Sequence, residues 1–125
     1  MAKVLIVQDD KFLSSAYRMK FTKAGYEVVL ASDGSEGVNM LSTFTPDIIL
    51  LDLVMPVKDG FTMLAEVKAN EAYKNIPVII TSNLSQKEDI DKAKALGATD
   101  FIIKSDISLD DLVTKVQKLL SEKVG

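Results

Sequence analysis

Two acids, two hydroxyls and one amine follow closely on four of the five short apolar runs in this sequence. They are Asp9, Asp52, Thr81, Ser82 and Lys104. Two carboxylates that meet repel each other unless a cation bridges them, and Mg²⁺ binds one or two carboxylates together with water and phosphate oxygens. Hydroxyl and ammonium groups can bind a phosphoryl oxygen, and a carboxylate can itself attack phosphorus. The set therefore predicts a site for Mg²⁺ and a phosphoryl group, if the fold brings these residues together.

Each of these residues also has an ordinary structural interpretation. An aspartate after a strand commonly caps the next helix or a loop, and a lysine there commonly faces solvent. A turn hydroxyl commonly bonds to the local backbone. The coincidence of all these groups at four strand ends is what favours the chemical interpretation.

The five apolar runs predict the strands that would position these side chains. They are Val4 to Val7, Val28 to Ala31, Ile48 to Leu51, Val78 to Ile80 and Phe101 to Ile103. Apolar runs without alternation are typical of strands that are buried on both faces. Stretches of about ten to fifteen residues with helical spacing follow the runs, which predicts a βα unit repeated five times in an open α/β sandwich. In such a sheet, function gathers at the carboxyl ends of the strands.

Capping signals predict several helix boundaries. Gly25 and Gly97 stand where glycine commonly ends a helix. Gly37 lies inside the predicted second helix and weakens that prediction. The signals for helix starts are Asp10, the pair Asp33-Gly34, the capping box Ser85-Gln86-Lys87-Glu88, and Ser108 with acids at 110 and 111.

Composition limits the chemistry and the partners. The 125 residues include no cysteine and no histidine, so thiol catalysis, disulfides and thiolate zinc sites are excluded and any metal must be bound by oxygen. The net charge of -3 does not favour nucleic acid or an anionic bilayer. No signal peptide and no apolar run of about 20 residues is present. We therefore expect one cytoplasmic domain over residues 1–125 that binds neither nucleic acid nor membrane.

Several motifs together resemble the receiver domain of bacterial two-component response regulators, in particular the single-domain type of chemotaxis regulators. The motifs are Val4-Leu-Ile-Val-Gln-Asp-Asp10, Gly25-Tyr-Glu-Val28, Asp33-Gly34, Pro46-Asp-Ile-Ile-Leu-Leu-Asp-Leu-Val-Met-Pro56, Asp59-Gly60, Ile76-Pro-Val-Ile79, Gly97-Ala98 and Lys104. The block from Asp52 to Pro56 with Asp59-Gly60 is the most specific. The resemblance implies a doubly wound, flavodoxin-like α/β fold, (βα)5, with a five-stranded parallel sheet in the order 2-1-3-4-5 and five flanking helices.

The resemblance also implies roles for individual residues. Asp52 resembles the phosphoacceptor, and Asp9 resembles the acid that binds Mg²⁺ together with Asp52. The backbone carbonyl of Val54 would be a further metal ligand. Lys104 resembles the lysine that pairs with the phosphoryl group.

Two further residues resemble the switch of these domains. Ser82 resembles the hydroxyl that moves toward the phosphoryl group, and Phe101 stands where the family has an aromatic side chain that changes rotamer with that movement. Thr81, one position earlier on the same strand, should point to the other face by alternation.

The function that the resemblance implies is that of a stand-alone receiver. It would accept a phosphoryl group from a histidine kinase or a histidine phosphotransfer protein in a Mg²⁺-dependent reaction, with no enzymatic activity beyond self-phosphorylation and slow autodephosphorylation. Signalling to a downstream protein would use the face of the fourth helix, fifth strand and fifth helix, roughly Glu88 to Lys118. The chain would be a monomer or a dimer that forms on phosphorylation.

Three departures from the family pattern alter these expectations. Gln8 replaces the first of two acids, which predicts a weaker metal site where its amide oxygen would hold a metal-bound water. Ser105 replaces a proline that follows a cis peptide in the family, so we expect a trans peptide and a less defined position for Lys104. Val54 and Leu84 are apolar where side chains often orient the hydrolytic water, which predicts slow hydrolysis of the phosphorylated Asp52.

Two alternatives stay open beside the receiver. A pseudo-receiver would use the same face as a binding module without phosphorylation, which Gln8 and Ser105 suggest and the presence of Asp52, Ser82 and Lys104 opposes. An enzyme on a similar sheet is disfavoured, because a flavodoxin needs a phosphate loop where Asp9 and Asp10 stand. The phosphatases with an aspartyl nucleophile need a second acid two residues after the nucleophile, where this chain has Val54.

Overall fold

The computed structural model describes residues 2–53, 55, 58–83 and 86–124, with side chains as far as residue 121. Five parallel strands form one sheet in the order β2-β1-β3-β4-β5, which confirms the predicted topology. The strands are β1 (Lys3–Val7), β2 (Glu27–Ala31), β3 (Ile48–Leu51), β4 (Val78–Ser82) and β5 (Asp100–Ile103). The helices are α1 (Lys11–Lys23), α2 (Gly34–Met40), α3 (Gly60–Ala69), α4 (Lys87–Ala95) and α5 (Leu109–Val124).

Side chains of the central strands alternate between two separate apolar clusters, one on each face of the sheet. On one face, strand residues such as Ile6 and Leu50 pack with Tyr17 and Phe21 of α1 and with Val116 of α5. On the other face, the strands pack against α3 and α4, and the buried side chains there include Leu5, Val7, Ile49, Leu51, Met63, Leu64, Val67 and Ala93. Burial on both faces explains why the strand sequences show no alternation of apolar and polar residues.

The predicted capping residues take their places at most helix ends. Asp10 accepts a hydrogen bond from the Leu13 N–H at 3.0 Å, and Ser108 accepts one from the Asp111 N–H at 3.1 Å. Asp33 and Asp59 cap α2 and α3 in the same way, and Gly25 and Gly97 have positive φ angles of 96° and 105°. The aspartate and serine side chains satisfy N–H groups that have no partner inside the helix.

Two helices differ from the sequence prediction. Helix α4 begins at Lys87, one residue later than the capping box predicts, and its N-cap residue Gln86 makes no side-chain cap; Ser85 lies outside the described residues. Helix α2 has only seven residues. After Met40 the backbone tightens into turns, in which the N–H groups of Leu41, Ser42 and Thr43 donate to carbonyl oxygens three residues earlier.

No helix in the described ranges is both long and apolar enough to cross a membrane.

Gly60 sets the distance between α3 and the end of β3. Its N–H donates to the Leu53 carbonyl oxygen at 3.0 Å. A Cβ atom on Gly60 would overlap the carbonyl oxygen of Asp52 and would lie 2.7 Å from the Cα of Leu53. Only glycine therefore allows the first turn of α3 to approach the Asp52 backbone this closely.

We predict that Gly60→Ala destabilises the protein by about 1–3 kcal/mol, because the added methyl group meets rigid backbone. Urea denaturation measures this change in the free energy of unfolding. Gly37→Ala is the matched control, since its Cβ would meet only side chains, the flexible end of Met63 at 2.9 Å and the Cγ2 of Val7 at 3.1 Å, which can shift more readily than backbone. Equal stability of the two variants would contradict the predicted backbone contact.

Candidate functional site

Strand register brings the predicted site residues to one edge of the sheet. Val7 pairs with Leu51, so Gln8 and Asp52 stand next to each other at the ends of β1 and β3. The Asp52 N–H donates to the Val7 carbonyl oxygen at 3.0 Å. On the far side of β3, Ser82 pairs with Ile103, the residue before Lys104. The carboxyl ends of four parallel strands thus meet in one crevice.

Asp52 is almost fully buried and has two charged or polar partners. Only 6% of the residue is exposed. Its Oδ1 accepts a hydrogen bond from the Leu53 N–H at 2.9 Å, and its Oδ2 lies 3.3 Å from the Nζ of Lys104. The Lys104–Ser105 peptide is trans, as the sequence predicts, and Lys104 nevertheless points at Asp52. The predicted phosphoacceptor and the predicted lysine are therefore in contact.

The environment of Asp52 disfavours its charged form on balance. Burial raises the pKa of this carboxyl, and this is the largest effect. The Lys104 ammonium and the Leu53 N–H lower the pKa but do not fully offset burial, and the nearby Asp9 carboxylate raises it further. A raised pKa with a specific cationic partner in a crevice is typical of a functional carboxylate.

Gln8 and Asp9 differ in exposure. Gln8 is 3% exposed, and its Oε1 accepts a hydrogen bond from the Asp10 N–H at 3.1 Å. Asp9 is exposed, and its charge acts on Asp52. Within the described part of the chain no three acidic side chains converge, so a cation here would be held by Asp9 and Asp52. Two carboxylates completed by water or phosphate oxygens suit Mg²⁺, and Val54 lies outside the described residues.

The hydroxyls at the end of β4 serve opposite faces of the sheet. Thr81 shares a side-chain hydrogen bond with Tyr17 on the α1 face, as the predicted alternation requires. Ser82 is 1% exposed and follows Thr81, so alternation places it on the opposite face. Phe101 lies on that same face, half-buried against the cluster under α3 and α4. Ser82 and Phe101 therefore share a face.

Tyr17, on the buried face of α1, is a residue of this region to which the sequence assigns no functional role. Burial raises the pKa of its hydroxyl, and the charge of Asp52 raises it further. Tyr17 thus connects helix α1 to the crevice through Thr81. The signal that could have identified it is a tyrosine on an apolar helix face, because a buried hydroxyl needs a polar partner.

Comparison with known proteins agrees with this geometry. Residues 4–117 match the family model described as response regulator receiver domain. Chemotaxis protein CheY of Treponema pallidum is 38% identical over 105 residues, which cover 82% of this chain and 72% of that protein. The first curated relatives that the chain matches are longer, and the chain spans about half of their length or less.

Solved structures show the same likeness. The receiver domain of the Francisella response regulator 1452 has a TM-score of 0.89 and 31% identity, with 98% of this chain and 99% of that one covered. The Mn²⁺-bound form of response regulator Rcp1 has a TM-score of 0.82 and 29% identity, with 97% and 93% covered. With its strand order, its crevice and a family match over most of its length, this chain belongs to the receiver domain family of two-component response regulators.

Proposed function

We propose that this protein accepts a phosphoryl group on Asp52 from a histidine kinase or a histidine phosphotransfer protein. The observation that carries the proposal is the contact between the buried Asp52 carboxylate and the Lys104 ammonium, 3.3 Å apart. Ser82 ends the strand between them in the sheet order. The contact also weakens the pseudo-receiver alternative, because Lys104 reaches Asp52 although Ser105 replaces the family proline.

In the proposed reaction one carboxylate oxygen of Asp52 forms a bond to phosphorus while the bond from phosphorus to the donor's imidazole nitrogen breaks. The electron pair of that bond stays on the imidazole. Lys104 loses its carboxylate partner in this step and can pair with a phosphoryl oxygen instead. In this position the Lys104 ammonium stabilises the negative charge on the phosphoryl oxygens.

A divalent cation fits the same crevice. Asp9 and Asp52 would hold it, and it would neutralise charge on the phosphoryl oxygens during transfer. The Mn²⁺-bound form of Rcp1 supports a divalent cation in this fold. We propose Mg²⁺, since two carboxylates, phosphate oxygens and water are the ligands it commonly takes.

Signalling is proposed to pass through the face of α4, β5 and α5, roughly 88–118, to a downstream protein. Helix α4 buries only Ala93, whereas α3 buries four of its residues, so α4 is the more weakly held of the two. A Ser82 hydroxyl drawn toward the phosphoryl group would leave space for Phe101 to move inward. Phosphorylation would then shift the population toward a state with a different α4–β5–α5 face.

Labelling with a small phosphodonor tests the proposal directly. We predict that acetyl phosphate with Mg²⁺ adds one phosphoryl group, measured by intact mass, and that Asp52→Asn abolishes the adduct. Lys104→Met should slow labelling by about a hundredfold, the usual effect of removing one group that stabilises the developing charge. Asp91→Asn on the exposed side of α4 is the control and should label normally. An unchanged adduct in Asp52→Asn would refute the assignment.

The pH dependence of stability tests the raised pKa of Asp52. Between the ordinary value of 3.8 and the raised folded value, the folded state binds more protons than the unfolded state, so stability falls as pH rises through this window. We predict that Asp52→Asn is more stable than the parent at pH 7, in urea denaturation, and that the difference closes as pH falls below 3.8. In a Lys104→Met background Asp52 has lost its cationic partner, so Asp52→Asn should increase the stability by more. A less stable Asp52→Asn at neutral pH would contradict this sign.

The lifetime of the phosphorylated state tests the effect of Val54 and Leu84, which lie outside the described residues. Because neither side chain can orient a water molecule, we predict that the label persists for minutes or longer, followed by intact mass after the donor is removed. Introducing a polar side chain by Val54→Asn should shorten the lifetime by about tenfold through positioning of water. Complete loss of the label from the parent within seconds would be the contrary result.

A further inference from the structure

Gln8 is buried beside the crevice, yet only one end of its carboxamide has a partner. The Oε1 accepts the Asp10 N–H at 3.1 Å, whereas the Nε2 is buried and has no hydrogen-bond partner among the described residues. The Asp10 N–H can only donate, so the acceptor end of the amide must face it. The orientation of the carboxamide is therefore fixed, and its NH₂ group faces away from Asp10.

The backbone of Gln8 is fixed as well. Its N–H donates to the Ala31 carbonyl oxygen at 3.0 Å, and its carbonyl oxygen accepts the Ser14 hydroxyl at 3.1 Å. Asp10, which the Gln8 side chain holds, caps α1 through the Leu13 N–H. Gln8 thus joins the end of β1 to the start of α1, and Asp9 lies between two residues that are held in place.

We infer that Gln8 is a positioning residue that braces this loop and, through its Nε2, places a hydrogen-bond donor where an acid would place its second carboxylate oxygen. A carboxylate at this position would have two acceptor oxygens, one for the Asp10 N–H and one for a metal-bound water. A carboxamide has a single acceptor oxygen, and the Asp10 N–H holds that oxygen in place. The inference takes the place of the water-mediated metal contact expected from the sequence, and it rests on the proposed function only where it concerns the divalent cation.

The NH₂ group of Gln8 stands in a region of negative charge. Register places Gln8 next to Asp52, and Asp9 is close enough for its charge to act on Asp52. An N–H that is buried without a partner costs free energy until an acceptor oxygen reaches it. The same NH₂ group offers nothing to a cation. Gln8 should therefore lower the affinity of the crevice for Mg²⁺, because it adds neither a negative charge nor a second acceptor oxygen.

The exchange rate of the Asp10 amide hydrogen, measured by NMR, reports the brace directly. In the metal-free protein, Gln8→Met should speed this exchange by about tenfold or more, and Gln8→Glu should restore protection because it keeps an acceptor at the same place. Saturating Mg²⁺ should change the exchange of the parent by less than about threefold. If Mg²⁺ speeds the exchange tenfold, Oε1 has left Asp10 for a metal-bound water and the inference is overturned. Unchanged exchange in Gln8→Met would also overturn it.

Calorimetric titration with Mg²⁺ tests the second half of the inference. Gln8→Glu should bind Mg²⁺ about tenfold more tightly than the parent, or better, the size of effect that groups around a metal site commonly have. Equal affinity of the two proteins would overturn the inference. Absence of Asp52 labelling in the parent would instead refute the proposed function, while the exchange of the metal-free protein still tests the brace.

Discussion

A carboxylate that is almost fully removed from water needs a positive partner, and the rest of the site is arranged around this need. Asp52 meets it with the ammonium of Lys104, the residue directly after the last strand of the sheet. An ion pair of this kind is costly to desolvate and contributes little net stability, so its value lies in what it can exchange. The same ammonium can neutralise a phosphoryl group. The resting contact therefore holds the lysine where the proposed phosphoryl transfer would require it.

Because side chains alternate along a strand, the two hydroxyls at the end of β4 face opposite sides of the sheet. Thr81 and Ser82 are neighbours in sequence, but Thr81 bonds to Tyr17 on the α1 face and Ser82 lies on the face of Phe101. The proposed phosphorylation of Asp52 would thus act on the side of α4 through Ser82. Helix α1 is held by Tyr17 and Phe21 in the other cluster, so the two faces need not respond together.

The sequence predicts the sheet well because each strand run reports burial on both faces, and it predicts the helix ends well where a side chain such as Asp10 or Ser108 is itself the cap. It fails at the early end of α2 and at the start of α4, where the N-cap residue Gln86 makes no side-chain cap. It also cannot show the pose of Lys104 or the orientation of the Gln8 amide. The pose of Lys104 depends on a contact with Asp52, which is distant in sequence, and the orientation of the Gln8 amide depends on the geometry of its loop.

The substitution at Gln8 has two opposing electrostatic consequences. With a glutamine there, Asp9, Asp52 and Lys104 together carry a single net negative charge, and an acid would add another. Fewer negative charges attract a divalent cation less strongly, which would slow the proposed cation-dependent transfer. They would also repel an approaching phosphoryl donor less, which would favour the proposed attack of Asp52. In the proposed reaction Gln8 would thus trade affinity for the metal against easier approach of an anionic substrate.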